Sequence, residues 1–175
     1  MLEQKHLALL EEAEQRGLGS APQQTENMRA CFELLTLAGM IDHDCAARLA
    51  PYRLSEGKFI LLFLLHGQPE GLSAHELAER AGVTRATITG LLDGLERDGL
   101  IVRHANPGDR RKISVRLSAT GQDTASTLFE EHARWIASLF AGFSVNERQA
   151  LNGFLQRIWR NAESMQLSCN HGKTP

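Results

Sequence analysis

The sequence lacks an apolar run long enough to cross a bilayer: its longest, FILLFLL at 59–65, is about a third of the roughly 20 residues that a spanning helix needs. The opening stretch, MLEQKHLALLEEAEQRG, carries charge throughout and has no signal-peptide core. Cysteine is scarce and odd in number: Cys31, Cys45 and Cys169 show no paired spacing, which argues against the disulfide framework of a secreted domain. If Cys31 and Cys45 share one helix they stand about 21 Å apart along it and cannot bridge. Catalytic signatures are also missing. HELAE at 75–79 has no second histidine four residues after the first, and neither a nucleophile elbow nor a phosphate-cradling glycine loop occurs. His6, His43, His66, His75, His104, His132 and His171 are scattered without ligand spacing, so most are expected at the surface and no metal site is expected. These absences lead to the expectation of a soluble, cytoplasmic, non-catalytic protein without a cofactor.

What is present is ordinary for a globular chain. The 175 residues, 42% hydrophobic and 23% charged, suffice for one well-buried domain or two small ones sharing a core. The net charge of −2 hides a strong polarity. Residues 1–50 set Lys5, Arg16, Arg29 and Arg48 against eight carboxylates; residues 97–116 set Arg97, Arg103, Arg110, Arg111, Lys112 and Arg116 against Asp98 and Asp109. The basic end is where a negative partner is to be sought.

Apolar spacing predicts helices for most of the rest. Leu2, Leu7, Leu10 and Ala13 mark an added helix over about 2–17, ended by Gly17. The segment from about 24 to 50 is apolar almost all round at CFELLTLAGM, which predicts a buried scaffold helix broken at Pro51. A helix opened by Ser55 and closed near Gly67 is preferred over a strand for FILLFLL because leucine outnumbers the β-branched residues. Ser73 with Glu76, and Ser144 with Glu147, have the spacing of capping boxes. The second box opens a last helix, to about 164, with Leu151, Phe154, Leu155, Ile158 and Trp159 as its apolar stripe.

Residues 73–99, SAHELAERAGVTRATITGLLDGLERDG, carry the functional reading. A helix ending at Ala81, a turn at Gly82 and a second helix capped by Thr84 would let Leu77, Ala78, Val83, Ile88 and Leu91 meet in one small core, as in a helix-turn-helix. Arg85, Ala86, Thr87 and Thr89 would be exposed at the start of the second helix. Arginine can donate twice to guanine, threonine can bond a base or phosphate, and a methyl can meet thymine. The bland alternative is a helical hairpin that touches no nucleic acid.

The next stretch favours DNA. LIVRHA and RKISVRL alternate as strands around the turn NPGD, with Ile113, Val115 and Leu117 on one face. A two-stranded ribbon directly after a helix-turn-helix is a wing. Its tip would carry Arg110, Arg111 and Lys112, cations of the kind that a narrow minor groove attracts, with Asp109 bracing one of them or holding the turn.

Through DRRKISVRLSATG and the preceding LLDGLERDGLIVR, the chain resembles the MarR family of winged-helix transcriptional regulators, specifically over about 55–125 and by element order over roughly 24–165. The resemblance maps the family's wing arginine to Arg111, its wing aspartate to Asp109, and its recognition-helix contacts to Thr84, Arg85, Thr87 and Thr89. It implies a mainly α fold with a small β wing: a winged helix-turn-helix domain, 55–118, on a helical dimerisation region, 21–54 with 119–165. An extra helix and loop, 1–20, which is expected to enlarge the dimer interface, and a flexible tail, 166–175, complete the chain. It further implies a homodimer binding a pseudo-palindromic double-stranded operator, most often as a repressor, and release by a small aromatic or phenolic anion. Candidate effector residues are His43, Arg48, Tyr52, Arg53 and His66, since arginine or histidine suits a carboxylate or phenolate.

Two alternatives stand beside this reading. Cys31, followed by Phe32, resembles the reactive cysteine of peroxide-sensing members, but Leu35 and Cys45 stand where their supporting tyrosines would be, and a buried, inert thiol is the expectation. A winged helix used for protein contact without DNA is the other.

Overall fold

Among the described residues the element order is seven α-helices with a two-stranded ribbon between the fifth and sixth: α1 (Gln4–Gln15), α2 (Pro22–Leu49), α3 (Glu56–Leu65), α4 (Ala74–Ala81), α5 (Arg85–Arg97), β1 (Ile101–Asn106), β2 (Asp109–Leu117), α6 (Ala119–Leu139) and α7 (Val145–His171). This computed structural model describes residues 3–16, 22–106 and 109–171. The chain divides into two compact units, 1–125 and 126–175. Among the described residues no helix is long and apolar enough to cross a membrane. The architecture is mainly α with a small antiparallel sheet, as the sequence predicts.

In the first unit the core lies where α3, α4 and α5 meet the base of the ribbon. Leu61, Leu62, Leu65, Leu77, Ile88, Leu92, Leu95, Ile101 and Val115 are each at most 2% exposed. FILLFLL is helical, and only Phe63 of that run is exposed. Ser55 caps α3 by accepting from the Lys58 N–H at 3.4 Å. Ser73 and Glu76 form the expected capping box: the Glu76 carboxylate accepts from the Ser73 N–H at 2.8 Å and from its hydroxyl at 2.7 Å. Ser144 and Glu147 repeat the arrangement at the head of α7.

These bonds hold the Glu76 and Glu147 carboxyls below the usual carboxylate range, through the serine hydroxyl first and the backbone N–H second. A carboxyl whose folded pKa is depressed contributes stability above its unfolded pKa, about 4.3, and loses it as pH falls through the folded value. Melting temperature should therefore drop in acid below about pH 4.3, and Glu76→Gln should flatten part of that drop. A thermal melt series from pH 7 to 3 on both proteins reads it.

The added helix lies on α2 with Leu10 and Ala13 packed as expected, but with His6 in place of Leu7. His6, Leu10 and Ala13 are buried while Leu7 is 43% exposed; Leu2 and Gly17 fall outside the described residues. The His6 ring stacks on Phe32 with centroids 4.8 Å apart, and its Nδ1 meets the Thr36 hydroxyl at 3.1 Å. A polar ring is accepted on the packed face because α2 offers both a stacking surface and a hydrogen-bond partner.

Nor is α2 the buried scaffold that its apolar centre predicts. Within one chain only Thr36 and Leu49 of its described residues are buried, and Leu34, Leu35, Leu37 and Met40 are exposed. A helix apolar all round needs cover on every side, and α1 covers one. Pro51 ends α2 through a 3-10 turn, Ala50–Tyr52. The last helix continues beyond the expected end near 164, to His171.

The junction between ribbon and α6 depends on a missing side chain. A Cβ on Gly121 would lie 1.9 Å from the Leu100 carbonyl oxygen, so α6 can start here only with glycine. Ser118 completes the junction: its hydroxyl donates to the Gly99 carbonyl at 2.7 Å and accepts from the Gly121 N–H at 2.9 Å. Gly121→Ala should cost about 1–3 kcal/mol, the usual range for forced overpacking, measurable as a lower urea midpoint at unchanged slope.

Candidate nucleic-acid interface

The turn between α4 and α5 is built as its sequence requires. Gly82 sits at φ 66°, the left-handed conformation that glycine adopts most readily. Its N–H and that of Val83 cap the last carbonyls of α4, with Val83 donating to Ala78 at 3.0 Å. Small Ala78 is buried at the crossing and Ile88 plugs the angle at 1% exposure. Val83 and Leu91 are half-buried beside them.

This packing turns one face of α5 outward. Thr84, Arg85, Ala86, Thr87 and Thr89 are all exposed at its first turns. Thr84 is the cap: its Oγ1 accepts from the Thr87 N–H at 3.2 Å and shares a hydrogen bond with the Thr87 hydroxyl at 2.9 Å. Whichever of the two hydroxyls donates, one proton of the pair stays available. The Thr89 hydroxyl donates to the Arg85 carbonyl at 2.9 Å, so in this rotamer it offers a partner lone pairs and a methyl but no proton. Positive helix-terminal N–H groups and the Arg85 guanidinium make this end of α5 attractive to an anion.

The ribbon stands beside it. Residues Ile101 to Ala105 pair antiparallel with Leu117 to Ile113, and the register shifts between Ala105 and Asn106. Leu72 adds a backbone bridge to Val115, at 3.0 and 2.8 Å, which ties the ribbon to the segment before α4. Of the predicted inner face, Val115 is buried, Leu117 half-buried and Ile113 51% exposed, because the face runs off the core toward the tip. Pro107 and Gly108 fall outside the described residues, as do the side chains of Asp109, Arg110, Arg111 and Lys112, whose backbone lies in β2. The proposed bracing by Asp109 is therefore outside what is described.

Three cations form four ion pairs that spacing along the chain does not reveal. Arg103 on β1 reaches Asp93 at 2.5 Å and Glu96 at 3.4 Å on α5. Arg116 on β2 bonds the Glu70 carboxylate at 2.9 Å and the Glu70 carbonyl at 3.1 Å. Lys58 on α3 meets Asp98 at 2.5 Å, a bond that holds the Asp98 carboxyl below its usual range. The signal for Arg103 was present: strand alternation puts it on the side of buried Ile101, where a cation needs a carboxylate, and Asp93 and Glu96 are one helical turn apart. The arginine pairs occupy basic residues at the ribbon's base and fasten it to α5 and to the loop before α4, while Lys58 ties α3 to the end of α5.

The five effector candidates show no comparable assembly. His43 is exposed, Arg48 pairs with Asp44 at 3.3 Å on the surface, Tyr52 and His66 are half-buried, and Arg53 is exposed in a left-handed turn at φ 56°. A concavity of about 340 Å³ adjoins His66 in sequence, but it is lined by Leu65, Gly67, Gln68, Pro69, Arg116, Leu117 and Gln122, none of the five. Cys31 is exposed, contrary to the expected burial, because α1 covers the neighbouring positions 32 and 36 rather than 31. Cys45 is half-buried, and desolvation first, then nearby Glu56, pushes its thiol up. His43, His75 and His104 are exposed and His66 is half-buried, whereas His6 and His132 are buried. The side chains of Cys169 and His171 lie outside the described residues.

Comparison with known proteins agrees with this geometry. A family model described as MarR family matches residues 54–113. The HTH-type transcriptional repressor YetL of Bacillus subtilis (strain 168) is 34% identical over 148 residues, 84% of this chain and 89% of that protein. The homoprotocatechuate degradative operon repressor of Escherichia coli is 33% identical over 110 residues, 61% of this chain and 72% of that one. Among solved structures, the transcriptional repressor CouR bound to a 23-mer DNA duplex superposes with a TM-score of 0.62 at 27% identity, covering 81% of this chain and 94% of its own.

Proposed function

Since the chain belongs to the MarR family of transcriptional regulators, we propose that it is a homodimeric repressor that binds a pseudo-palindromic DNA operator and releases it on binding a small aromatic or phenolic anion. The observation that carries the DNA reading is the exposed head of α5, with Arg85 and the Thr84–Thr87 pair, held on a ribbon whose tip sequence is Arg110-Arg111-Lys112. Arg85 reads base edges in the major groove while the ribbon cations reach the minor groove or its phosphates. The winged helix-turn-helix is assigned to 55–118 and the dimerisation region to 21–54 with 119–165.

The dimer is supported by what single chains leave uncovered. Along α7, Phe154, Leu155, Ile158, Trp159 and Met165 are all exposed, and α2 separately exposes Leu34, Leu35, Leu37 and Met40. Large apolar side chains left exposed one helical turn apart, as Phe154 and Ile158 or Leu155 and Trp159 are, have the pattern of an interaction face. A two-fold dimer presents two α5 helices to half-sites about one duplex turn apart. An aromatic effector is supported by a relative whose name concerns homoprotocatechuate degradation, and membership of the family supports a cytoplasmic, non-catalytic role.

Titration of DNA from upstream of the protein's own coding sequence, read by fluorescence anisotropy at several salt concentrations, tests the proposal. Tight binding that weakens steeply with salt supports it, and failure to bind any duplex at low salt points instead to a protein-contact role. Adding aromatic carboxylates and an organic hydroperoxide separates two signals. Release by peroxide alone would favour the redox reading, for which the exposure of Cys31 is the supporting observation.

A further inference from the structure

Glycine is the poorest helix former after proline, so each glycine inside a helix calls for a reason. Internal packing supplies one at three positions. A Cβ on Gly57 would press on Leu91 at 3.2 Å, one on Gly94 would meet the Lys58 side chain at 2.8 Å, and one on Gly121 would strike the Leu100 carbonyl. Gly90, in the middle of α5, has no such reason: among the described residues nothing lies within 4 Å of the position its Cβ would take. It is exposed, and its backbone is ordinary helix, so an alanine would fit the folded chain without strain.

The position of Gly90 gives the missing reason. It lies one turn after Ala86 and beside Thr89 on the outward face of α5, and one turn before Asp93. Asp93 is 57% exposed even while bonded to Arg103, and its carboxylate repels phosphate, so close contact with DNA along this ridge has to end before residue 93. Gly39 and Gly153, the other described helical glycines with open space around them, are neighbours in sequence of exposed Met40 and Phe154, on the helices α2 and α7 assigned above to a partner. The pattern is the same: glycine appears where the approaching surface belongs to another molecule.

We propose that Gly90 is a recognition determinant, a position where the missing side chain lets the α5 backbone lie against double-stranded DNA so that a methyl group would hold the helix off. The proposal rests on the DNA reading above and adds to it a named residue that makes no hydrogen bond of its own. Lifting α5 at its second turn also withdraws Thr89, whose proton is committed to Arg85 and whose lone pairs and methyl must reach a base edge to contribute.

The test is Gly90→Ala in the full-length protein, with two readouts whose signs are opposed. Replacing a strain-free helical glycine by alanine should raise the melting temperature by about 2–4 °C. The same protein should bind a duplex selected by the wild type from a random-sequence library at least about 10-fold more weakly, as expected when a tight interface is overpacked. A higher melting temperature with unchanged affinity would overturn the proposal. A lower melting temperature would overturn it as well, since the open space on the protein side would then be wrong. Gly90→Ser serves as a second variant and should lose affinity at least as far. If the wild type selects no duplex and binds none at low salt, the DNA reading itself fails, which is distinguishable from a wild type that binds and a Gly90→Ala that binds equally well.

Discussion

Arg85→Ala should weaken binding to the preferred operator by about 1–3 kcal/mol, roughly 5- to 150-fold, and flatten the preference at one base position in each half-site. The expectation comes from the placement of the guanidinium: it is exposed on the first turn of α5, where the Thr84 and Thr87 hydroxyls share one hydrogen bond and leave a single proton available, and the Thr89 proton is committed to the Arg85 carbonyl. Arginine is thus the group on this turn with several uncommitted donors, the feature that two acceptors on guanine require. Arg111→Ala should behave differently. A cation aimed at phosphate or at groove shape contributes to every sequence alike, so affinity should fall uniformly and the slope of log K against log salt should shrink by about one. Selection from a random library followed by salt titration separates the two variants. Equal and unchanged binding in both would remove α5 and the ribbon tip from the interface.

The parts of this arrangement that could be read from sequence are those fixed by neighbours in the chain. The Ser73–Glu76 box, the left-handed turn at Gly82 and the Thr84 cap each involve residues within a few positions, so composition and spacing determine them almost alone. Alternation likewise placed Val115 inside the ribbon. What was not legible depends on residues far apart in sequence. His6 rather than Leu7 faces α2 because Phe32 and Thr36 accept it, and that choice is made 30 residues away. Arg116 counts as part of a basic cluster in the sequence, but in the fold it is bonded to Glu70, 46 residues earlier. The effector candidates, His43 to His66, span two helices and a turn, and none of them lines the concavity beside His66. The exposed apolar side of α2 could not be foreseen either, because a helix apolar all round reads as buried whether its cover comes from its own chain or from another.

That last ambiguity leads to the largest expected effect. Apart from half-buried Leu151, every α7 residue from 145 to 165 is exposed in one chain, although Trp159 and Ile158 stand 68% and 49% open to solvent. Side chains of this kind contribute about 1.5–3 kcal/mol each when fully covered, and a symmetric pair of chains covers each twice. Placing a charge there reverses the sign, because a carboxylate buried against apolar surface without a partner is strongly unfavourable. For the dimer proposed above, Ile158→Glu with Trp159→Glu should therefore shift the mass in light scattering from twice the chain to the 19.4 kDa monomer. Operator affinity should fall with it by about 100-fold or more, the gain lost when two linked half-site contacts become independent. Unit 1 holds the helix-turn-helix and its core, so circular dichroism should keep most of its helical signal if α7 serves association rather than the stability of that core. Retention of the doubled mass would place the dimer contact elsewhere, and a monomer that still binds a full operator with wild-type affinity would separate DNA recognition from dimerisation altogether.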